Sequence, residues 1–265
     1  MDAVAGALNE GPVRLERPAP HVALVTIDRP DARNAIDAAT TTALAATIQY
    51  IEEDEDLWVA VITGAGGTFC SGADLKAVAK GDGPALFTRD GGFAGFTHSR
   101  HAKPWIAAIE GFALAGGLEI ALACDMRVAA EDARFGLPEA RRGLLAAAGG
   151  AYRLPAVLPR GIAIEMLATG EPIDAPRALH FGLINRMVAK GEAVASAVEL
   201  AQRITLSAPL AVREAVALAR QAGEHGDDEL YRLSHRANKR LWATEDFAEG
   251  PRAFVEKREP RWTGR

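Results

Sequence analysis

Four short apolar runs recur in the first half of the chain: VALVTID (22–28), LWVAVITG (57–64), PWIAAIEG (104–111) and MRVAAED (126–132). Each is short for a helix and ends at a glycine or an acid, the pattern of a strand buried in a sheet. Residues 36–53 set Ile36, Leu44, Ile48 and Ile51 at helical spacing before the acidic turn EEDED. Strand-type runs alternating with helical stretches predict an α/β fold of stacked βα units. Residues 77–103 show no strong period and read as a loop or a mobile helix.

The second half changes character. IAIEMLAT (162–169) and DAPRALHFG (174–182) read as helices, and LINRMVA (183–189) as a strand. From residue 192 the pattern is helical, with Val194, Ala197, Val198, Ala201 and Ile204 on one face. Residues 208–222 and 227–242 continue as helices. The expected division is a core over 1–194 and a helical C-terminal region over 195–265.

A chain of 265 residues suits one α/β domain with an appended element. Its net charge of −5 gives no global attraction for nucleic acid or anionic membranes. No apolar stretch reaches the length of a membrane span. The start, MDAVAGALNEGP, has Asp2 where a signal peptide carries basic residues. Cys70 and Cys124 make neither a disulfide framework nor a metal cluster. A cytoplasmic protein is the expectation.

Two glycine clusters follow strand-type runs. TGAGGTFCSGAD (63–74) lacks the Lys-Ser/Thr of a phosphate loop and the third glycine of a dinucleotide fingerprint. It fits a turn into a helix starting near Ala73 and Asp74, whose first N–H groups are free and face outward. ALAGGLE (113–119) fits a second such start near Ala115 or Gly116, where glycine lets a ligand approach the backbone. Two outward donors from two turns can form an oxyanion hole. Close packing at the helix start explains the glycines equally well.

Two acids stand near these turns. Glu119 lies in the first helical turn among Leu118, Ile120, Ala121 and Leu122, where burial raises a carboxyl pKa and helix N-terminal donors lower it. A dipole-complementing glutamate is the plain alternative. Glu139, after Pro138 in FGLPEARRG, reads either as an exposed loop acid or as the second member of an acid–base pair. Ser71 lacks a G-x-S-x-G setting. The six histidines form no H-E-x-x-H pattern, and His98 with His101 reads as a surface pair. Cys70 lacks a nearby base and reads as buried.

TFCSGADLK (68–76), GFALAGGLEIALACDMRVAAEDARFGLPE (111–139), GLLAAAGGAYRLP (143–155) and the tail EDFAEGPRAFVEKREPRWTGR (245–265) together resemble the enoyl-CoA hydratase/isomerase (crotonase) superfamily. The resemblance covers nearly the whole chain. It implies a spiral of ββα turns with a helical C-terminal region that builds homotrimers, often paired into homohexamers. It implies an oxyanion hole at the N–H groups of Ala73 and Gly116, polarising a thioester carbonyl. It implies that Glu119 activates water for addition to C3, while Glu139 handles the proton at C2.

The same resemblance brings Lys76, with the backbone at Ser71 and Asp74, to the CoA nucleotide. Phe254 and Lys257 match tail residues that reach the CoA of a neighbouring subunit. Arg29 and Arg33 are phosphate-contact candidates. Phe87, Phe93 and Phe96 are candidates for the acyl pocket, or ordinary core aromatics. Ala146, Ala147 and Ala148 replace a Pro-containing stretch of the prototype hydratases, and the tail is nearest the carnitinyl-CoA dehydratase-like branch.

The expected activity is reversible syn addition of water to trans-2-enoyl-CoA thioesters, as in β-oxidation. No metal or redox cofactor is expected, CoA being part of the substrate. The rivals are dehydration of a specialised acyl-CoA of carnitinyl or sterol side-chain type, enoyl-CoA isomerisation, and idle binding of CoA esters.

Overall fold

The computed structural model describes residues 11–265. The signal-peptide reading of the first ten residues lies outside them. The chain opens with an antiparallel hairpin, β1 (Val13–Ala19) and β2 (Val22–Ile27), followed by helix α1 (Ala38–Glu53) and strand β3 (Val59–Gly64). Asp37 starts α1 by accepting the N–H of Thr40.

Residues 77–103 are neither a plain loop nor a mobile helix. Short helix α2 (Leu75–Ala79) leads into a 3-10 turn (Gly83–Leu86) and a tight hairpin, β4 (Phe87–Thr88) with β5 (Gly92–Phe93). The hairpin strands have two residues each, too short to register as a period.

The spiral is clearest in the middle. Strand β6 (Trp105–Ile109) gives way to β7 (Phe112–Leu114) and helix α3 (Gly116–Ala123). Strand β8 (Met126–Ala130) gives way to β9 (Arg134–Gly136), a 3-10 turn (Pro138–Arg142) and helix α4 (Gly150–Val157). After α5 (Arg160–Thr169), β10 (Ile173–Asp174) and α6 (Ala175–His180) comes the last strand, β11 (Arg186–Val188). The large sheet has the order β1-β2-β3-β6-β8-β11, parallel from β2 onward. The second strand of each turn goes instead to a small sheet, β10-β9-β7. This is the ββα spiral that the resemblance implies.

The strand runs are continuously apolar because both faces of the large sheet are covered. On β3, Ala60 and Ile62 join one core, while Val59 and Val61 join another on the opposite face. Helix α7 (Ala193–Thr205) closes the second face with Ala197 and Ala201, and it spans position 195. Helices α8 (Pro209–Gln221), α9 (Asp227–Leu241) and α10 (Glu245–Glu256) follow. The tail then turns back. Buried Asp246 accepts the N–H groups of Thr263 and Gly264, and Trp262 packs against the second core. No helix among the described residues is long and apolar enough to cross a membrane.

One histidine reading is corrected. His98 is exposed, but the ring of His101 lies 4.6 Å from that of Phe96 and 5.1 Å from that of Trp105. Burial pushes its pKa down to about 4, and His98 and His101 are not a surface pair.

Candidate active site

Two strand-to-helix turns meet at the site. In the first, Ile36 donates to the carbonyl of Gly72 and Asp74 donates to the carbonyl of Ile36, both at 2.8 Å. That parallel bridge uses the groups flanking Ala73, so the N–H of Ala73 itself faces the other way. The Asp74 carboxylate then caps α2 through the N–H of Lys76. In the second turn, Ala115 has φ 50° and ψ −128°, a conformation that costs an L-residue on the order of 1–3 kcal/mol. It places Gly116 at the start of α3, where its N–H has no partner one turn back.

The turns touch. A Cβ built on Gly72 would stand 2.8 Å from the Cβ of Ala115 and 3.0 Å from the nitrogen of Gly116. Glycine at 72, with φ +95°, therefore allows the two candidate donors, Ala73 and Gly116, to lie side by side.

The glycine pair also serves packing, as the plain reading held. A Cβ on Gly117 would meet the Cys70 carbonyl at 2.1 Å, and one on Gly116 would meet the Phe93 ring at 2.4 Å. Phe93 is thus buried directly against the Gly116 turn. Phe96 is enclosed with His101 and Trp105 in the core and has no open face. Phe87 is half exposed and stacks edge-on against Phe93. Of the three aromatics, Phe93 is the one placed against Gly116.

Glu119 is 4% exposed. Its Oε1 accepts the N–H of Gly150 at 2.9 Å, and the N–H of Ala148 also faces the carboxylate. Burial raises its pKa; these two N–H groups and the charge of Arg153 hold the rise back. Glu139, in the 3-10 turn after β9, is half-buried, and its Oε2 is a buried oxygen with no partner. Burial, reinforced by the nearby charge of Glu119, pushes its pKa up to about 7. Glu119 is supported by N–H groups of the Ala148–Gly150 turn, while Oε2 of Glu139 has no partner, so the two carboxylates sit in unequal settings.

The remaining candidates scatter by role. Arg29 is spent within the fold: its guanidinium bonds Asp37 at 2.9 Å, Asp74 at 3.1 Å and the Ala35 carbonyl. It is a latch between the start of α1 and the start of α2, not a free phosphate ligand. Arg33 and Lys76 are exposed, and the half-buried Ser71 donates its N–H to the Arg33 carbonyl at 3.1 Å. Phe254 is 84% exposed at the end of α10, and Lys257 ends that helix in a left-handed conformation. Cys70 is buried with its thiol pushed up to about 12, as its apolar setting suggested.

The enoyl-CoA hydratase/isomerase family matches residues 18–265 of the sequence. The chain belongs to that family. The carnitinyl-CoA dehydratase of Salmonella heidelberg (strain SL476) is 45% identical over 249 residues, covering 91% of this chain and 94% of that protein. The structure of enoyl-CoA hydratase from Mycobacterium tuberculosis H37Rv superposes with a TM-score of 0.93 at 41% identity, covering 97% of this chain and all of the other. The carnitinyl-CoA hydratase structure from Mycobacterium avium gives 0.75 at 44% identity, with 97% and 100% covered.

Two residues of this enoyl-CoA hydratase/isomerase family member escaped the sequence reading. Asn34, fully buried, donates to the carbonyls of Ala65 and Thr68 and so pins the first glycine loop. Arg153 donates to the Ala148 carbonyl, in the turn whose Gly150 N–H bonds Glu119. Its signal was a single charge inside the otherwise apolar GGAYRLP.

Proposed function

We propose that the protein catalyses reversible syn addition of water to trans-2-enoyl-CoA thioesters. The observation that carries this reading is the unequal carboxylate pair, Glu119 held by two N–H groups and Glu139 raised to about 7. The N–H groups of Ala73 and Gly116 hold the thioester oxygen as it gains charge. Glu119 takes a proton from water as its oxygen bonds to C3. Glu139, in its acid form, gives a proton to C2. Net uptake is one water, and the proton left on Glu119 passes to Glu139 before the next turnover. The addition changes no oxidation state and is proposed without a metal or redox cofactor; activity should survive dialysis against a chelator.

The 45% identity to carnitinyl-CoA dehydratases favours a second reading, in which the same residues dehydrate carnitinyl-CoA. A substrate panel decides between them. Enoyl-CoA esters of increasing chain length and carnitinyl-CoA are followed at the absorbance of the conjugated thioester. Turnover confined to carnitinyl-CoA supports the second reading. Binding of CoA esters without any turnover supports an idle binding protein. A Glu139→Gln variant that turns over crotonyl-CoA at the wild-type rate sinks the mechanism.

The assembly proposed is a homotrimer, alone or paired as a hexamer. The exposed apolar face of α10, with Phe254 and Val255 at 84% and 79% exposure, supports it. In that assembly Phe254 and Lys257 reach the CoA of the neighbouring subunit. Sedimentation of the wild type beside a Phe254→Asp variant tests this.

A further inference from the structure

Glu119 is held by a turn, and Arg153 holds the turn. Nη1 of Arg153 donates to the Ala148 carbonyl at 3.1 Å, and Nη2 donates to the Thr97 carbonyl at 2.6 Å. Ala148 therefore faces two ways: its N–H faces the Glu119 carboxylate and its carbonyl accepts from the guanidinium. Between Ala148 and Gly150 the chain passes through Gly149 at φ +124°, where a Cβ would stand 2.1 Å from Nη1. Only glycine lets the guanidinium lie so close. Thr97 belongs to the loop that seats Phe93 against Gly116. One side chain thus joins the support of the carboxylate to the segment lining the candidate oxyanion donors. A second tie runs parallel on the surface, from the hydroxyl of Tyr152 to Nε2 of His98 at 2.9 Å.

We infer that Arg153 is a positioning residue for the reaction, fixing the Ala148–Gly150 turn that aims Glu119 and locking that turn to the Phe93–Thr97 loop. It touches no reacting atom in this scheme. The inference rests on the reading of Glu119 as the base that activates water.

The test uses Arg153→Met and Arg153→Lys, each alone and combined with Glu119→Gln, assayed by hydration of crotonyl-CoA. The charged and titratable groups around the cluster are Glu139 and Arg142 on the 3-10 turn, His98 and His101 on the loop, and Cys124 at the end of α3. Arg153→Met should lower kcat roughly 10²-fold by misplacing the carboxylate, with KM little changed. Its acid limb should move to higher pH, because a positive charge beside Glu119 is lost. Arg153→Lys should return the limb toward wild type yet leave kcat low, since an ammonium has no planar fork to span two carbonyls. On the Glu119→Gln background, Arg153→Met should add almost nothing.

A lower melting temperature with unchanged kcat and pH limb would overturn the inference. So would a full additive loss on the Glu119→Gln background. If Arg153→Met does not fold, Arg153→Lys decides: wild-type kcat overturns the inference, and reduced kcat at a retained melting temperature upholds it. If Glu119→Gln alone keeps the wild-type rate, the reading of the base fails, and the role of Arg153 falls with it.

Discussion

The N–H of Gly150 lies 2.9 Å from Oε1 of Glu119, and a methyl group on Gly150 would stand 3.1 Å from the same oxygen. That methyl would also meet Ala146 and Leu137, each at 2.9 Å. Gly150→Ala must therefore displace the turn or the carboxylate. Overpacking of this kind costs about 1–3 kcal/mol. We expect a lower melting temperature together with a fall in kcat of at least about tenfold, read in parallel thermal and kinetic assays. Wild-type kcat in the folded variant would show that the hydrogen bond is not needed for turnover.

The pair of acids predicts one pH profile shared by the two directions, because the addition of water takes up no net proton. Hydration needs the proton on Glu139, whose pKa is raised to about 7. Its kcat/KM should fall as pH rises through about 7, and kcat/KM for dehydration should fall in parallel, since both directions use the pair carrying one proton. Initial rates in both directions across pH 5.5 to about 8.5 check this. Profiles that stay flat through about 7 would assign the ionisation elsewhere.

Stability carries the same signature. The folded protein keeps a proton on Glu139 between its ordinary value of 4.5 and about 7, where the unfolded chain has lost it. By linkage, the folded state gains most below 4.5 and loses that contribution as pH rises through about 7. Glu139→Gln should remove this slope. Urea denaturation at several pH values measures it, and an unchanged slope would point to another group.

The glycine pair separates by what each glycine meets. Gly117→Ala drives a methyl into the Cys70 carbonyl, which belongs to the backbone and has no room to yield. Gly116→Ala meets the outer edge of the Phe93 ring, a movable group. We expect Gly117→Ala to fold poorly. Gly116→Ala should fold, and adding Phe93→Leu should restore part of its stability. Equal loss in both single variants would contradict the packing.

Arg29→Met should lower stability by roughly 1–3 kcal/mol, because the two carboxylates it joins lose a charged donor. Chemical denaturation checks the loss, and KM for a CoA ester should stay near wild type. Unchanged stability with a raised KM would restore the phosphate-contact reading of this residue.

Much of the site was legible where local rules decide. Asp74 and Gly116 stand at helix starts because capping and missing side chains are local properties, visible as SGAD and AGGLE. The four strand runs were legible because burial on both faces makes them continuously apolar. The short strands β7 and β9 were not, since three residues hold no period and their pairing comes from the spiral. The pairing of Arg29 was not legible, because its partners, Asp37 and Asp74, lie on two separate helix starts. Arg153 went unseen because its role depends on carbonyls rather than on side chains, and carbonyls leave no trace in composition.

Trp262 covers a face built from β2, β3, β6 and β8, which are made far earlier in the chain. A polypeptide growing from its N-terminus exposes that face while residue 262 is still inside the ribosome. The first core, with Glu119 and Glu139 beside it, is complete by Ile184, whereas the second waits for α7 and then for Trp262. A nascent chain held between residues 184 and 262 therefore has its first core built and part of an apolar flank open to chaperones.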